Sequence, residues 1–382
     1  WTAGTEILDV STNFVANDGA IYTPINYDGK EHGYVSAREA LASSLNIPAV
    51  KTLEKVGLND TVALAQQLGI TTLDRPDRYD LSLALGGGEV SLLELTTAYS
   101  VLANEGVYVG KRIILSIENA DGNDFFEQET GQSVQVISPQ VTWLISDILS
   151  DDRARSRTFG SNSALRLDRP AAVKTGTTTN FYDNWTIGYT PSLTVGVWVG
   201  NSTFTPMQNV TGLTGAGPIW HDVMRVILEG HPEKSFVQPE GLEQAEICTL
   251  SGLLPTEHCR NTRTEWFIKG TIPADYDTFY KQVVLENGNP IIAYDLPIEA
   301  QAWARSQGMP LLEDIQPSVL GETQPLVLSS PSPNSTYVFY KHLDPAVQQI
   351  PIQLAVGEGF TQVTVWVDGN LFTKLDQAPY EV

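Results

Sequence analysis

The chain is poor in positive charge and in long apolar runs, and each shortage excludes a class of function. It carries 23 Lys and Arg residues against 45 Asp and Glu residues, a formal net charge of −22. Binding to nucleic acid or to anionic lipid depends on clustered Lys and Arg, so neither partner is expected. No apolar run approaches the roughly 18 residues that a transmembrane helix needs.

Several common catalytic motifs are also missing. The five histidines include no His-Glu-x-x-His pair, which excludes a zinc protease of that type. There is no Gly-x-Ser-x-Gly elbow, so an α/β-hydrolase triad has no support. The glycine run at 86–88 lacks the Lys and the spacing of a phosphate loop, and we interpret it as a tight turn before a helix. The sequence therefore indicates no metal and no cofactor.

Helix signals are clear in the first 230 or so residues. With 382 residues, 42% of them hydrophobic, the chain can form two or three domains with sizeable cores. Capping boxes at Ser36–Glu39 and Ser91–Glu94 predict helices over 37–46 and 92–105, the first of them interrupted by Pro48. Two further helices are predicted at 138–149 and 217–228, where Pro follows Ser or Gly.

Strand signals lie between and after these helices. We expect strands at 112–118, returning after a turn at Asp121-Gly122, and at 171–178, 185–189 and 193–200. Their short connections predict an antiparallel sheet flanked by helices, which is an α+β fold. After residue 325 the chain becomes all-β, with strands expected at 337–340, 352–355, 361–367 and 371–375.

This pattern predicts three parts. Residues 1–232 form the α+β domain, and 233–320 form an irregular connecting region that contains both cysteines. Residues 321–382 form a small module similar to a β-sandwich.

The sharpest chemical signal is Lys174-Thr175-Gly176-Thr177, on a predicted strand. Such a triplet occurs by chance, and an ordinary strand with a solvated Lys is the plain interpretation. A small Gly, however, lets a peptide lie alongside as an added strand. The Lys cation and the Thr hydroxyls can then bind a carboxylate, and a backbone N–H can stabilise an oxyanion.

A second signal is Ser44-Leu45-Asn46, at the end of the first predicted helix. Taken alone, it is a helix C-terminus with small polar residues. Where a helix ends at a cleft, the hydroxyl and the amide can pass a proton and orient a substrate carbonyl.

In this order the two motifs are similar to the second and third signature motifs of penicillin-binding proteins and serine β-lactamases. Longer segments resemble the transpeptidase domain of class A penicillin-binding proteins: Tyr-Thr-Pro-Ile-Asn-Tyr-Asp-Gly at 22–29, and the segments 38–50, 83–91, 174–177, 185–191 and 196–201. Later segments resemble the penicillin-binding protein 1C branch: 248–252 with Cys259, 263–267 and the final β module.

The resemblance implies a role for each matching residue. Ser44 would relay protons to a general-base Lys, and Asn46 would position that Lys and the acyl donor. Lys174, with Thr175 and Thr177, would bind the terminal carboxylate of a D-Ala-D-Ala stem peptide or of a β-lactam. Gly176 would leave room, and the Thr177 N–H would form half of an oxyanion hole. The implied reaction is D,D-transpeptidation through a serine ester.

One element of the family pattern is missing, because no Ser in the sequence has a Lys three positions later. Thr52-Leu53-Glu54-Lys55 has the spacing but not the Ser, and it follows Ser44 instead of preceding it. The chain begins on Trp1, so we expect an internal piece of a bifunctional synthase that is inactive alone. The nucleophile, a glycosyltransferase and a membrane anchor would then precede it. The resemblance also implies an extracytoplasmic location and other cell-wall synthesis proteins as partners of the final module.

Two alternatives stay open. The chain can be a stem-peptide-binding or scaffolding module that lacks the nucleophile, or a β-lactam sensor or β-lactamase relative. Cys248 and Cys259, with His258 beside them, offer only three of the four ligands of a zinc site. We favour a disulfide, with two free thiols as the alternative. Asp183 and Asn184 can line the edge of the cleft or be ordinary turn residues.

Overall fold

The computed structural model describes residues 1–15, 19–119, 124–127, 133–160, 162–285, 288–315, 327–330, 352–355, 362–367, 369–376 and 380–381. Its helices are α1 (Ala37–Ala42), α2 (Asn46–Val56), α3 (Leu58–Gln67), α4 (Leu92–Ala103), α5 (Pro139–Ser150), α6 (Asp152–Phe159), α7 (Ala216–Leu228), α8 (Ile298–Ser306) and α9 (Leu312–Ile315). Short 3₁₀ turns lie at Pro76–Arg78, Leu81–Leu85 and Thr179–Phe181.

The strands are β1 (Glu6–Asp9), β2 (Phe14–Val15), β3 (Ile21–Tyr22), β4 (Gly33–Ser36), β5 (Val107–Tyr108), β6 (Ser116–Glu118), β7 (Asp124–Glu127), β8 (Val134–Gln135), β9 (Ala172–Thr177), β10 (Asp183–Thr190), β11 (Leu193–Gly200), β12 (Leu242–Cys248), β13 (Thr262–Ile268), β14 (Tyr280–Val284), β15 (Pro290–Tyr294), β16 (Val327–Ser330), β17 (Gln353–Ala355), β18 (Val363–Val367), β19 (Asn370–Leu375) and β20 (Tyr380–Glu381).

The chain divides into two compact units. The first consists of Trp1–Ile7, Val35–Ala245 and Thr264–Ile272, and the second of Leu8–Tyr34, Glu246–Arg263 and Pro273–Val382. In the part of the chain that the structure describes, no helix combines the length and the apolar character needed to cross a membrane.

The first unit is built on an antiparallel sheet in the order β11-β10-β9. Lys174 of β9 lies opposite Ile187 of β10, and Thr190 pairs with Leu193 across the β10–β11 turn. Helices α4 and α7 pack on β10 and β11, and α5 packs on β9. The Trp220 ring of α7, fully buried, lies so close to Gly188 that a Cβ there would be 2.4 Å from it. The predicted α+β fold with an antiparallel sheet is confirmed.

The first predicted helix is wrong in its extent. It ends at Ala42 instead of Asn46, and a new helix begins at Asn46. The break is a Schellman motif: Leu45 N–H donates to Ala40 O (2.9 Å) and Ser44 N–H to Leu41 O (3.2 Å). Pro48 does not interrupt a helix but lies in the first turn of α2, where its missing N–H has no intrahelical partner to lose.

The capping predictions are confirmed in one case and half confirmed in the other. At α1, Ser36 and Glu39 satisfy each other's backbone as a full capping box. At α4, Ser91 caps the helix, but the Glu94 carboxylate binds the backbone N–H and hydroxyl of Thr71 instead of the Ser91 backbone. That helix ends at Ala103, two residues before the predicted end.

The segment 233–320, expected to be irregular, contains β12–β15 and helix α8. The sequence of β13, Thr-Arg-Thr-Glu-Trp-Phe-Ile, looks too polar for a core strand, yet it buries Glu265 and Phe267. Glu265 is only 2% exposed because Arg38, 227 residues earlier, binds both of its carboxylate oxygens at 2.7 and 2.8 Å. Because that partner is so distant in sequence, the alternation of buried and exposed residues along β13 cannot be recognised from the local sequence.

In the second unit, Ala300 and Ala304 of α8 form a buried hydrophobic cluster with Leu296 and Leu311, which flank the helix. Cys248 and Cys259 form the favoured disulfide. Near the C-terminus β16, β17 and β20 form one sheet, and β18 pairs with β19. The predicted strand at 337–340 and the predicted turn at Asp121-Gly122 lie outside the described residues.

Candidate functional site

Ser44 and Lys174, 130 residues apart in sequence, are joined in the first unit. The Lys174 ammonium donates to Ser44 Oγ at 2.5 Å and to the Thr175 carbonyl at 2.7 Å. Ser44 reaches this position because it occupies the left-handed place of the Schellman motif, with φ of 57°. Glycine is the usual residue there, since a Cβ is crowded in that conformation.

Burial lowers the pKa of Lys174 from 10.5 to about 8. At neutral pH the ammonium therefore remains charged and donates, but it gives up a proton more readily than a surface Lys. Because Ser44 Oγ accepts from this ammonium, the hydroxyl hydrogen of Ser44 is left to donate to a third group. Two adjacent polar groups with a perturbed pKa are typical of proton-transfer sites.

These side chains open onto a cavity of about 600 Å³ in the first unit. Asn46, half-buried at the start of α2, lines the same cavity as Ser44 and Lys174. The rest of the wall is mainly aliphatic or aromatic, from α1, α2, α5 and β13: Leu41, Leu45, Leu53, Leu144, Ile148 and Phe267. A wall of this composition suits a ligand or a chain segment that is mainly apolar and has a few polar groups at one end.

The remaining motif residues lie on both faces of β9. Alternation puts Lys174 and Gly176 on one face and Thr175 and Thr177 on the other. Thr177 Oγ1 accepts a hydrogen bond from the Gly212 N–H at 2.9 Å, which leaves its own hydrogen free to donate. Within the described residues β9 is an edge strand, because only β10 pairs with it. A peptide can therefore add along its outer edge.

Gly176 is not required by the packing of the fold. A Cβ built on it would be 3.5 Å from the nearest atom, the Cβ of Trp185, which is an ordinary contact. Gly212 is different, since a Cβ there would lie 2.6 Å from the carbonyl oxygens of both Gly176 and Trp185. The strand thus keeps open space at Gly176 that the fold itself does not use.

The end of β9 has features that sequence reasoning did not find. Gly86, the left-handed C-cap of a 3₁₀ turn, comes so close to Thr178 that a Cβ on it would be 3.1 Å from the Thr178 methyl group. This agrees with a tight turn at 86–88. Asp183 and Asn184 are not turn residues but begin β10, and Asn184 is fully buried.

Beyond that strand end, the rings of Tyr182 and Phe204 stack on each other at 4.7 Å. Twenty-two residues separate them, and no spacing or motif in the sequence links the two. Among the described residues, no group of three or more His, Cys, Asp or Glu side chains is arranged to hold a metal ion.

Two family models match the chain. Residues 4–225 match the penicillin binding protein transpeptidase domain, and residues 238–282 match the C-terminal domain of penicillin-binding protein 1A. Penicillin-binding protein 1A of Clostridium novyi is 32% identical over 272 residues, 69% of this chain and 31% of that protein. Penicillin-binding protein 1A of Aquifex aeolicus is 35% identical over 256 residues, 67% of this chain and 34% of that protein. The chain spans about a third of the length of these relatives.

Solved structures agree with the fold. The crystal structure of penicillin-binding protein 1A from Haemophilus influenzae has a TM-score of 0.65 at 24% identity, covering 72% of this chain and 46% of that one. The penicillin-binding protein PonA1 from Mycobacterium tuberculosis has a TM-score of 0.54 at 25% identity, covering 62% of this chain and 66% of that one.

Proposed function

The chain belongs to the penicillin-binding protein transpeptidase family, and from that premise we propose that its first unit performs serine-dependent acyl transfer between peptidoglycan stem peptides. The observation that carries the proposal is the Lys174–Ser44 hydrogen bond at the mouth of an apolar cavity, beside the free edge of β9. Both partners come from motifs that the family uses for this chemistry.

The donor peptide binds along β9. Its terminal carboxylate binds the hydroxyls of Thr175 and Thr177, which share one face of β9, and the Lys174 ammonium on the other face adds positive potential. Gly176 admits the peptide backbone because it places nothing in the space above the strand. The Thr177 N–H supplies one donor of the oxyanion hole. A β-lactam carboxylate uses the same groups.

The nucleophile belongs to a helix that this sequence does not contain. A Ser-x-x-Lys pair on one helical face needs an apolar opposite face for burial, and the cavity beside Ser44 offers an apolar wall of that kind. A helix seated there brings its Ser and Lys to the end of the cavity where Ser44, Asn46 and Lys174 lie. The free hydroxyl hydrogen of Ser44 then points to the incoming Lys.

The reaction proceeds in two steps. The Ser oxygen attacks the carbonyl carbon of the penultimate D-Ala, and its proton passes to the neighbouring Lys amine. The peptide C–N bond breaks, and the proton goes through Ser44 to the departing D-Ala amine. An amine of a second stem peptide then attacks the ester, which restores the Ser hydroxyl and completes the cross-link.

The test is covalent labelling by penicillin, followed by intact-mass spectrometry. A polypeptide extended upstream of Trp1, so that it includes Ser-x-x-Lys, gains the mass of one penicillin on that Ser. The 382-residue chain gains none. Lys174→Ala in the extended protein slows labelling by at least tenfold, and the matched change of the exposed Lys234 to Ala leaves the rate unchanged. An extended, folded protein with Ser-x-x-Lys but no adduct would overturn the proposal.

A second candidate is favoured by the missing Ser-x-x-Lys alone: a module that binds stem peptides without reacting with them. For such a module we expect reversible peptide binding that Lys174→Ala weakens, and an upstream sequence that has no Ser-x-x-Lys. Sequencing upstream of the Trp1 codon separates the two candidates.

We also propose that the protein works outside the cytoplasm. Persistent disulfides form in oxidising compartments, and Cys248 is fully buried in its bridge to Cys259. Other cell-wall synthesis proteins are candidate partners of the C-terminal strands.

A further inference from the structure

Part of the cavity wall comes from a strand that lies beyond the segment matching the transpeptidase domain. Phe267 and Ile268 of β13, and Thr271 just after it, line the cavity of the candidate site. All three belong to the segment 238–282, which matches the C-terminal domain of penicillin-binding protein 1A. Thr264–Ile272 nevertheless lies within the first compact unit. The cavity is therefore assembled from both matched segments.

A buried ion pair fixes β13 to the first helix. The Arg38 guanidinium of α1 donates to both oxygens of Glu265, at 2.7 and 2.8 Å, and to Asp147 of α5 at 2.6 Å. Glu265 and Phe267 are the two buried residues of β13 and alternate with less buried ones, so they share a face of the strand, roughly 7 Å apart. Holding Glu265 in place therefore also holds the Phe267 ring, which is fully buried.

The same guanidinium is one helical turn from the cavity residues of two helices. Leu41 follows Arg38 by three positions on α1, and Leu144 precedes Asp147 by three positions on α5. Both leucines line the cavity. Because residues three apart are neighbours on a helix surface, Arg38 sets the relative positions of three parts of the wall: α1, α5 and β13.

Further contacts hold the same segment against α5. The Trp266 ring of β13 meets the Trp143 ring of α5 edge to face, with 5.4 Å between their centroids. Gln140 Nε2, at the start of α5, donates to the Glu240 carbonyl at 2.9 Å. Together with the Arg38 ion pair, these contacts make β13 a fixed wall instead of a loose flap.

The occupant proposed for the cavity is the helix that carries the nucleophile. In the proposed function this helix comes before Trp1, and Trp1, Thr2 and Ala3 line the same cavity. A segment attached to Trp1 therefore starts at the cavity wall. Phe267 and Ile268 offer it an apolar surface, which is what the apolar face of an amphipathic helix packs against.

We propose that Phe267 is a positioning residue: it forms the wall against which the nucleophile-bearing helix packs, and so fixes the Ser hydroxyl relative to Ser44 and Lys174. This inference rests on the proposed function and adds that the segment 238–282 supports catalysis through β13. Attack on a carbonyl tolerates little displacement, since a misplacement of about 1 Å can slow a reaction on the order of a hundredfold.

The test measures how fast a fluorescent penicillin acylates the extended protein, which includes Ser-x-x-Lys. Phe267→Ala lowers the acylation rate at saturating penicillin roughly tenfold or more, and Phe267→Leu, which leaves a smaller gap, lowers it about threefold. The penicillin concentration that gives half the maximal rate changes by less than about twofold, because the β-lactam carboxylate binds to groups on β9.

The matched control is Phe279→Ala. Phe279 belongs to the same matched segment, but its ring packs against Tyr34 in the second unit, with 5.1 Å between the centroids. We expect this variant to change neither the saturated rate nor the half-saturating concentration. It therefore separates loss of the cavity wall from loss of a packed aromatic ring elsewhere in the segment.

The outcomes separate the two proposals. A slower saturated rate with an unchanged half-saturating concentration supports the inference. Phe267 variants that are acylated as fast as wild type, no more slowly than Phe279→Ala, or with a change only in the half-saturating concentration, overturn it while the proposed function stands. If Phe267→Ala does not fold, the rate of Phe267→Leu decides the same question. If the extended wild-type protein gives no adduct, the proposed function fails and this inference fails with it.

Discussion

Replacing Ser44 tests whether the site is held in a strained backbone. Ser44 has φ of 57°, where a residue with a Cβ loses about 1 kcal/mol or more relative to glycine. Ser44→Gly and Ser44→Ala both remove the hydroxyl that accepts from Lys174, so the difference between them reports the backbone alone. We expect Ser44→Gly to be more stable than Ser44→Ala by about 1 kcal/mol. Urea unfolding followed by Trp fluorescence measures this difference.

The neighbouring residue provides the matched control. Ser43 has φ of −83°, and its hydroxyl donates to the Ala154 carbonyl, a bond that both of its substitutions remove. In this right-handed conformation Ala is favoured over Gly by about 0.5–1 kcal/mol. The order of Gly and Ala must therefore reverse between positions 43 and 44. If Ala is the more stable replacement at both, the left-handed Ser44 and the site built on it are refuted.

Three further outcomes follow from single contacts. Burial lowers the pKa of Lys174 to about 8 against 10.5 in the unfolded chain, so the unfolded state binds more protons between these values. The free energy of unfolding then rises with pH by up to about 3 kcal/mol across that window. Urea unfolding at pH 7.5 and at pH 10 will show this gain for wild type and not for Lys174→Met. Gly212→Ala, whose Cβ would meet two backbone carbonyls, destabilises the fold by more than about 2 kcal/mol, whereas Gly176→Ala costs less than about 1, as thermal unfolding will show. Arg38→Met leaves the buried Glu265 carboxylate without its main partner and costs about 3 kcal/mol, and adding Glu265→Met recovers most of the loss in urea unfolding.

Short sequence motifs correctly predicted those features of the fold that depend on neighbouring residues. The capping boxes at Ser36 and Ser91 and the hairpin from Thr190 to Leu193 are short-range features, and all three produced the expected helix starts or turn. The family resemblance also placed the chain correctly among class A penicillin-binding proteins. The matching C-terminal model and the relatives from Clostridium and Aquifex carry the name 1A, where the sequence segments had suggested 1C.

Long-range contacts produced the departures. The sequence around Glu265 does not indicate a buried strand, because the Arg38 guanidinium that allows the Glu265 carboxylate to be buried lies 227 residues earlier. The Tyr182–Phe204 stack is similar, since its two rings belong to different loops. A sequence gives the residues of such a contact but not the packing that brings them together.

The break between α1 and α2 shows why local rules fail at the site itself. A left-handed C-cap is normally recognised by its glycine, and here the position is Ser44, so the sequence favours a continuous helix through Asn46. Burying the Lys174 ammonium is likewise unfavourable, as its lowered pKa shows. Each departure alone weakens the fold, but together they place a hydroxyl 2.5 Å from an ammonium at the wall of an apolar cavity. The surrounding fold offsets these costs through the Ser36–Glu39 capping box and the Arg38–Glu265 ion pair, which anchor α1 immediately before the break. The left-handed backbone at Ser44 is thus the local feature that brings its hydroxyl to the Lys174 ammonium.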